Sequence, residues 1–242
     1  MSEEILKGAL YIVSTPIGNL DDITLRAVRI LRSVDLIAAE DTRKTRFLLE
    51  HLGIQKPLLS CFSYNEQKRI PGLLEKLRTG SAVAVVTDAG TPGISDPAYA
   101  VIRSALEAGH PVIPAPGASA LLAALIISGL PTDRFVFEGF LPVKKGRKTR
   151  FESLAEEERT MVIYESPHRI EKTLEDVLRY MGDRNVAVAR EITKKFEQVL
   201  RGTVTEVLGR MRGAAARGEY VLVVAGTSYR ETPADDRSEP DS

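Results

Sequence analysis

Short apolar runs alternate with helical patterns through the first half of this 242-residue chain. The runs ALYIVS, VDLIAA and AVAVVT are followed by helical patterns at residues 22–32, at residues 42–52 and from Asp96 onward. Buried strands joined by helices give this alternation in parallel β-α-β units. The first half is therefore predicted to form an N-terminal parallel α/β domain over residues 1–128.

The second half has strands of the same kind but fewer helices between them. Its strand patterns are RFVFEGF, TMVIYE, NVAVAREI, EQVLRGTV and EYVLVVAG, and residues 167–181 form the clearest helical pattern. Because parallel neighbours need long crossover connections, fewer helices predict a mixed, partly antiparallel sheet. We expect a C-terminal α/β domain over residues 129–229, joined to the first through SGLPTDR, with a ligand cleft between the two domains where the strand-end loops converge.

Composition narrows the class of protein. Hydrophobic residues make up 43% of the chain, which is ample for packed cores. Cys61 is the single cysteine, so an internal disulfide and a zinc site built from several thiolates are both excluded. The start MSEEILKG is acidic rather than signal-like, and the longest apolar run, ASALLAALIISG, is shorter than the roughly 20 residues that span a bilayer. We expect a soluble, cytoplasmic protein without a metal site.

The formal net charge of zero conceals an acidic C-terminal segment. Residues 230–242, RETPADDRSEPDS, hold two arginines and five acids, which leaves 31 basic and 28 acidic residues in the rest of the chain. The resulting charge of +3 is too small to predict nucleic-acid binding unless basic residues cluster locally. The segment itself is polar and lacks aromatic residues, so disorder is predicted for it.

The segment VVTDAGTPGISDP, residues 85–97, continues a strand pattern into a loop of unusual composition. Its two glycines allow positive φ angles and its two prolines fix φ, which indicates a defined backbone shape. The loop has no lysine and no phosphate-binding glycine pattern, and it carries Asp88 and Asp96. A cation, or a ligand with amino and hydroxyl donors, is the favoured occupant. A tight turn in which Asp96 caps the next helix is the alternative.

Distinctive strings also follow the other strands. GALYIVSTPIGNLDDIT, LIAAEDTRKT, SYNE, VVTDAGTPGISDP, PAPGASA, SGLPTDRFVFEGFLP and YESPHRI occur in this order over nearly all of the chain except the acidic segment. Together they resemble the tetrapyrrole methylase superfamily, and within it the bacterial branch that 2′-O-methylates a cytidine ribose in 16S ribosomal RNA of the small subunit. The resemblance implies two α/β domains, S-adenosylmethionine as the methyl donor in the interdomain cleft, and a homodimer.

The resemblance also implies which residues bind the donor. They lie in strand-end loops of the first half and at corresponding positions of the second: Pro16, Asp88, Gly90, Thr91, Pro92, Ile94, Ser119, Ala120, Leu141, Tyr164, Ala225 and Gly226. S-adenosylmethionine carries a sulfonium cation and an amino-acid head group but no phosphate, which agrees with a carboxylate-bearing loop that lacks lysine. For Ser119 and Ala120, helix capping after Gly117 is the alternative explanation.

The methyl transfer implied by the resemblance needs the ribose hydroxyl to be held against the activated methyl group. A carboxylate, lysine or histidine that accepts the hydroxyl proton would assist the attack. The candidates are Asp41 and His168 together with the predicted catalytic set of Glu40, Arg43, Lys44 and Glu165. Surface ion pairs and helix caps are the alternatives, because Asp41 and Ser166 stand where N-caps would stand and Pro167 occupies a first helical position. The sequence does not choose the base.

Two basic segments are predicted to contact ribosomal RNA. KKGRKTR supplies Lys144, Lys145, Arg147, Lys148 and Arg150, and EDTRKTR supplies Arg43, Lys44 and Arg46. Lysine and arginine clusters of this kind bind the phosphates of nucleic acids. A solvated charged loop is the alternative for the run at residues 144–150.

Two other functions share part of this pattern. A small-molecule methyltransferase of the tetrapyrrole type would share the fold and the donor but has little use for the basic run. A non-enzymatic RNA-binding protein of ribosome assembly would need the basic segments but not the donor loop. A nicotinamide dehydrogenase is excluded, because the first strand is followed by STPIGN rather than by a glycine-rich dinucleotide turn.

Overall fold

The chain divides into two compact units in the computed structural model, which describes residues 5–62, 64–211 and 217–230. The first unit comprises residues 1–120 together with residues 193–195. The second comprises residues 121–192 and 196–242.

The first unit is a parallel sheet with helices between its strands, as predicted. The strands, in the sheet order β3-β2-β4-β1-β5, are β1 (Leu10–Val13), β2 (Leu36–Ala39), β3 (Leu58–Ser60), β4 (Val83–Val86) and β5 (Val112–Ala115). The helices are α1 (Leu25–Ser33), α2 (Thr42–His51), α3 (Glu66–Arg78) and α4 (Tyr99–Glu107). The chain leaves β2 toward β3 on one side and leaves β4 toward β5 on the other. The loops after these neighbouring strands therefore diverge and open a crevice at the carboxyl edge of the sheet.

Both faces of this sheet are buried. Val13 and Ala84 pack with Leu31 on one face, while Leu10 and Val83 pack with Leu73 on the other. Because successive side chains of a strand point to opposite faces, strands buried on both sides read as continuous apolar runs. This is why the fully buried strands β1, β2 and β4 could be located from the sequence.

The second unit has a mixed sheet, which confirms the prediction for this half of the chain. Its strands, in the order β6-β7-β10-β8-β9, are β6 (Phe135–Phe140), β7 (Thr160–Glu165), β8 (Asn185–Arg190), β9 (Gln198–Thr203) and β10 (Tyr220–Val224). The β6–β7 pair is parallel, and β7–β10, β10–β8 and β8–β9 are antiparallel. Its helices are α5 (Ala120–Ile127), α6 (Arg147–Leu154), α7 (Ile170–Met181) and α8 (Val204–Met211). No helix within the described ranges is both long and apolar enough to cross a bilayer.

Three helices begin later than their sequence patterns predict. Thr24 caps α1 by accepting the Ala27 N–H, after a short 3-10 turn at Leu20–Asp22. Helix α4 begins after Ala98, which makes no side-chain cap, so the alternative in which Asp96 caps this helix is wrong. Helix α7 follows a turn in which the Ser166 carbonyl accepts the N–H groups of residues 169 and 170. Pro167 therefore lies in that turn and not at a first helical position.

The boundary between the units lies at the start of α5, whereas residue 128 at its end was the predicted position. Hydrogen bonds within the second unit account for this placement. The Leu121 N–H donates to the Tyr164 hydroxyl, and Arg201 donates to the carbonyl of Ile127 at 2.9 Å. The predicted disorder of the acidic segment concerns residues that, apart from Arg230, lie outside the described ranges.

Candidate functional site

The loop after β4 is paired to the loop after β1 at the carboxyl edge of the first unit's sheet. Gly90 and Thr15 exchange two backbone hydrogen bonds, of 2.9 and 3.0 Å. Gly90 and Gly93 have φ angles of 82° and 84°, which are unfavourable for residues with a side chain. Ser95 adopts a φ of 65°, and such left-handed non-glycine residues cost roughly 1–3 kcal/mol each. The loop therefore has the defined, partly strained shape that its glycines and prolines predict.

Side chains connect this loop to the loops after β1 and β5. The hydroxyls of Thr91 and Ser14 lie 2.9 Å apart, and Thr91 Oγ1 donates to the carbonyl of Ala118 at 3.3 Å. A β-carbon on Gly117 would come within 2.9 Å of Ser14 Cβ, so a side chain at residue 117 would force these loops apart. The predicted donor residues Gly90, Thr91, Pro92 and Ile94, together with Ser119, thus belong to one group of joined loops.

A chain of charged and polar groups connects the loops after β2 and β4. Glu40 Oε2 accepts from Thr87 Oγ1 at 2.6 Å and from the Asp88 N–H at 3.2 Å. Asp88 in turn accepts from the Asp41 N–H at 3.0 Å and from Lys44 Nζ at 2.7 Å. The ion pair raises the pKa of Lys44, chiefly through the hydrogen bond that Lys44 donates to Asp88, so this lysine stays protonated at neutral pH. Lys44 is consequently placed to act as a fixed cation.

Asp41 performs the capping role that the sequence offered as an alternative. It is the N-cap of α2, and its carboxylate accepts from the Arg43 N–H at 2.8 Å and from the guanidinium of Arg43 at 3.0 and 2.7 Å. Hydrogen bonding to Arg43 lowers the pKa of Asp41 to about 2. A carboxylate with so low a pKa is a weak base at neutral pH, which removes Asp41 from the candidates for proton removal.

Asp96 has an electrostatic environment unlike that of the other carboxylates in these loops. Burial raises the pKa of Asp96 from 3.8 to about 6, and the negative charge of Glu40 adds to the rise, with a smaller contribution from Asp88. Three carboxylates therefore lie within electrostatic reach of one another, and one of them is neutral below about pH 6. A bound cation would favour the ionised form of Asp96.

A pocket of about 590 Å³ opens beside this network in the first unit. Its volume is in the range typical of ligand sites. The lining joins two predicted groups of residues, because it includes the predicted donor residues Pro16 and Asp88 and the predicted RNA contacts Arg43 and Lys44. Thr15, Leu20, Asp41, Thr45, Phe47, Leu48 and Thr87 complete it.

The donor residues predicted in the second unit lie within its strands or in the one or two residues that follow them. Leu141 is buried in the apolar core, and the Tyr164 ring packs edge-on against Phe137 with centroids 4.9 Å apart. The Ala225 N–H donates to the Asn185 carbonyl at 2.9 Å. A β-carbon on Gly226 would lie 2.0 Å from the carbonyl oxygen of Glu158, so residue 226 must be glycine.

Glu165 is the predicted catalytic residue whose surroundings least resemble a site for substrate. Its side chain has no exposed surface. Its carboxylate accepts from the Ser166 N–H at 2.7 Å, from Arg169 at 2.7 and 2.9 Å, and from Thr173 Oγ1 at 2.6 Å. These bonds hold the YESPHR turn against α7. Glu165 thus forms an ion pair, but a buried one and not the surface pair stated as the alternative.

The basic run at residues 144–150 divides into exposed and buried members. Lys144, Lys145 and Lys148 are exposed, and Arg150, also exposed, pairs with Glu138. The prediction that Arg147 contacts RNA is wrong, because its side chain is only 9% exposed and pairs with Asp176 at 2.8 Å. It also donates to the Pro142 carbonyl and to Thr173 Oγ1. A guanidinium held inside the unit in this way cannot contact RNA.

Comparison with known proteins gives the family. Residues 9–208 match the model of the Tetrapyrrole (Corrin/Porphyrin) Methylases. The chain belongs to the tetrapyrrole methylase family. Its relatives in this family include proteins named "Ribosomal RNA small subunit methyltransferase I". The relative from Synechocystis sp. is 51% identical over 228 residues, covering 93% of this chain and 82% of the relative, and that from Thermotoga maritima is 48% identical over 219 residues, covering 90% and 99%.

Solved tetrapyrrole methylases share the fold at low sequence identity. A cobalamin biosynthetic enzyme, cobalt precorrin-4 methyltransferase, superposes with a TM-score of 0.64 at 20% identity, covering 90% of this chain and 95% of its own. Uroporphyrin-III C-methyltransferase from Thermus thermophilus, solved in complex with S-adenyl homocysteine, gives a TM-score of 0.63 at 19% identity, covering 90% and 97%. At these sequence identities the structural similarity shows that the fold is shared, but it does not show which substrate is used.

Several residues of this tetrapyrrole methylase matter to the site and were absent from the predicted set. Thr87 connects Glu40 to the Asp88 loop, and its position directly before Asp88 was the available signal. Phe47 lines the pocket and lies four residues after Arg43, a spacing that places two side chains on one helical face. Arg169 holds Glu165 from a position four residues further along the chain.

Proposed function

We propose that the protein transfers a methyl group from S-adenosylmethionine to the 2′-hydroxyl of a cytidine ribose in 16S ribosomal RNA of the small ribosomal subunit. The observation that carries the proposal is 45–51% identity over at least 90% of this chain to relatives named as small-subunit ribosomal RNA methyltransferases. We further propose that it acts in the cytoplasm, where that substrate is found, and as a homodimer.

The chemistry of the first unit suits the donor. When bound, S-adenosylmethionine supplies a methyl group activated by a sulfonium cation. Glu40, Asp88 and Asp96 place three carboxylates near the Gly90 loop, and the pair between Lys44 and Asp88 balances one of these charges. Binding of a cation there would be favourable and would lower the pKa of Asp96. The second-unit donor residues Leu141, Tyr164, Ala225 and Gly226 stay a prediction.

We assign the reacting step to the pocket residues of the first unit. Lys44, kept protonated by Asp88, would fix the ribose or its phosphate through a charged hydrogen bond. Glu40 anchors the Asp88 loop by accepting the Asp88 N–H at 3.2 Å. Arg43 is fixed by Asp41 at the pocket lining with most of its side chain exposed to solvent. Orientation of this kind accounts for a large part of the barrier reduction in reactions between bound partners.

We assign a positioning role to Glu165 in place of a chemical one. Removal of this buried carboxylate would leave Arg169 and Thr173 without their acceptor inside the second unit. Loss of activity in a Glu165 variant would then accompany a loss of stability. All remaining members of the predicted set of RNA contacts are exposed, so they stay in that set: Arg43, Lys44, Arg46, Lys144, Lys145, Lys148 and Arg150.

The proposal is tested by offering two substrates separately to the protein together with labelled donor. Small ribosomal subunits from a strain that lacks this enzyme, and a uroporphyrinogen-type tetrapyrrole, are each incubated with the protein and methyl-labelled S-adenosylmethionine. Label is expected in RNA of the subunits. Label in the tetrapyrrole alone would make the protein a small-molecule methyltransferase. Absence of donor binding by calorimetry would favour the non-enzymatic assembly protein.

A further inference from the structure

Phe47 is an exposed aromatic side chain within the pocket of the first unit. It lies on α2, four residues after Arg43 and three after Lys44, so the three side chains share one side of the helix. Phe47 is 65% exposed although Leu48 beside it is buried in the unit. The fold therefore presents this ring to the pocket and does not use it for packing.

The groups around the ring limit what could cover it. Arg43 and Lys44 are cations whose positions are fixed by their pairs with Asp41 and Asp88. Both side chains stay largely exposed within these pairs. A purely apolar ligand would cover the ring but make no contact with the two cations, and an inorganic anion would leave the ring exposed. A ligand that carries a flat ring and an anionic backbone matches both features. Single-stranded RNA has this composition.

We propose that Phe47 is a stacking residue for a nucleobase of single-stranded RNA, whose phosphates lie beside Arg43 and Lys44. The inference rests on the proposed function and adds to it a contact that selects an unstacked nucleotide. The same pocket is lined by Pro16 and Asp88, both predicted to bind the donor. A base stacked on Phe47 would therefore hold its ribose in the pocket that the donor residues share.

The test separates aromatic stacking from apolar contact. Phe47→Ala and Phe47→Leu remove the ring, and Phe47→Tyr keeps it. Leu106→Ala is the matched control, because Leu106 is 58% exposed near the end of α4, which runs away from the carboxyl edge of the sheet.

The readouts are kcat and KM for small subunits from a strain lacking this enzyme, donor affinity by calorimetry, and oligomeric state by sedimentation. A second probe is a single-stranded RNA oligonucleotide containing 2-aminopurine, whose fluorescence is quenched when the base stacks.

For Phe47→Ala and Phe47→Leu we expect KM for subunits to rise about tenfold or more, and the quenching to be lost, with donor affinity unchanged. Phe47→Tyr and Leu106→Ala are expected to keep the parental values. Parental KM and quenching in Phe47→Ala would overturn the proposal, and so would rescue by leucine or a change of oligomeric state, which would mean that the ring packs against protein. If the parent quenches the probe and Phe47→Ala does not, but the parent methylates no subunits, the proposed function fails while Phe47 keeps its role. If it methylates subunits but Phe47→Ala does so equally well, only the stacking proposal fails.

Discussion

Gly90 combines a φ angle of 82° with two backbone hydrogen bonds to Thr15, so its conformation decides the shape of the loop predicted to hold the donor. We expect Gly90→Val to abolish or strongly weaken S-adenosylmethionine binding while leaving the protein folded, because valine strongly disfavours this region of φ. Calorimetric titration measures the effect. Gly109→Val is the control, since Gly109 has a φ of 78° in the turn between α4 and β5. Equal donor affinity in both variants would contradict the assigned role of the loop.

Lys44 is the residue whose charge state is most directly fixed by the structure. If it orients the ribose as a cation, Lys44→Ala should lower the single-turnover methylation rate on the order of 10²-fold with donor affinity unchanged, whereas Lys44→Arg should keep much of the rate. Rapid-quench measurements on small subunits would separate the two. A loss in Lys44→Arg as large as that in Lys44→Ala would contradict a role that rests on the positive charge of this residue alone.

Asp96 should make stability depend on pH. Because its folded-state pKa of about 6 lies above the ordinary 3.8, the folded protein binds this proton more tightly than the unfolded chain does. Ionisation of Asp96 therefore costs stability as pH rises through this window, and the cost is fully present above it. We expect Asp96→Asn to have a higher Tm than the parent at pH 8, with the difference closing toward pH 4. A difference that stays constant between these pH values would show that Asp96 is not the group responsible.

At the scale of elements, the strands were the part of the fold that the sequence predicted best. Strands β1, β2 and β4 of the first sheet are buried along their whole length, so apolar runs locate them without any knowledge of their partners. Helix starts were less accurate, because local caps and turns such as those at Thr24 and Ser166 decide them. The boundary at α5 could not be predicted either, since hydrogen bonds to Tyr164 and Arg201, distant along the chain, tie this helix to the second unit.

Candidate residues were likewise predicted well where local sequence decides their position and poorly where a distant partner does. The loops after β1, β2 and β4 were predicted to converge because carboxyl ends of parallel strands share one edge, and the first unit brings them together. The burial of Arg147 depends on Asp176, which lies 29 residues away on another helix. A run of basic residues contains no signal for such a partner, so five similar side chains were all interpreted as RNA contacts.

Helix α6 allows a direct contrast between structural and RNA-contacting basic residues. We expect Arg147→Ala to lower the free energy of unfolding by about 3 kcal/mol or more, because it leaves Asp176 without its partner in a largely buried position. Lys148→Ala, at an exposed site, should change it by less than about 0.5 kcal/mol. Denaturant titration measures both.

A combined replacement of Lys144, Lys145 and Lys148 should weaken subunit binding and reduce its salt dependence. Parental values of both would mean that the run at residues 144–150 is a solvated charged loop.

For the whole molecule, the first unit combines predicted donor, catalytic and RNA-contact residues around one pocket, while the second unit holds the exposed lysines of α6 and the segment before it. Such a division explains how a member of a family that also contains porphyrin- and corrin-modifying enzymes could act on RNA. Under the proposed function, the fold supplies the strand-end loops, and the basic and aromatic side chains placed on them would set the substrate. Substrate choice is therefore expected to change with surface residues and donor binding with loop conformation.

The most direct measurement is the identity of the methylated nucleoside. Small subunits from a strain lacking this enzyme are incubated with the protein and S-adenosylmethionine, and their 16S RNA is digested to nucleosides for mass spectrometry. We predict that 2′-O-methylcytidine appears with the parent protein and is absent, or greatly reduced, with Gly90→Val. A methyl group on a base, on the ribose of another nucleotide, or nowhere in the RNA would contradict the proposed reaction.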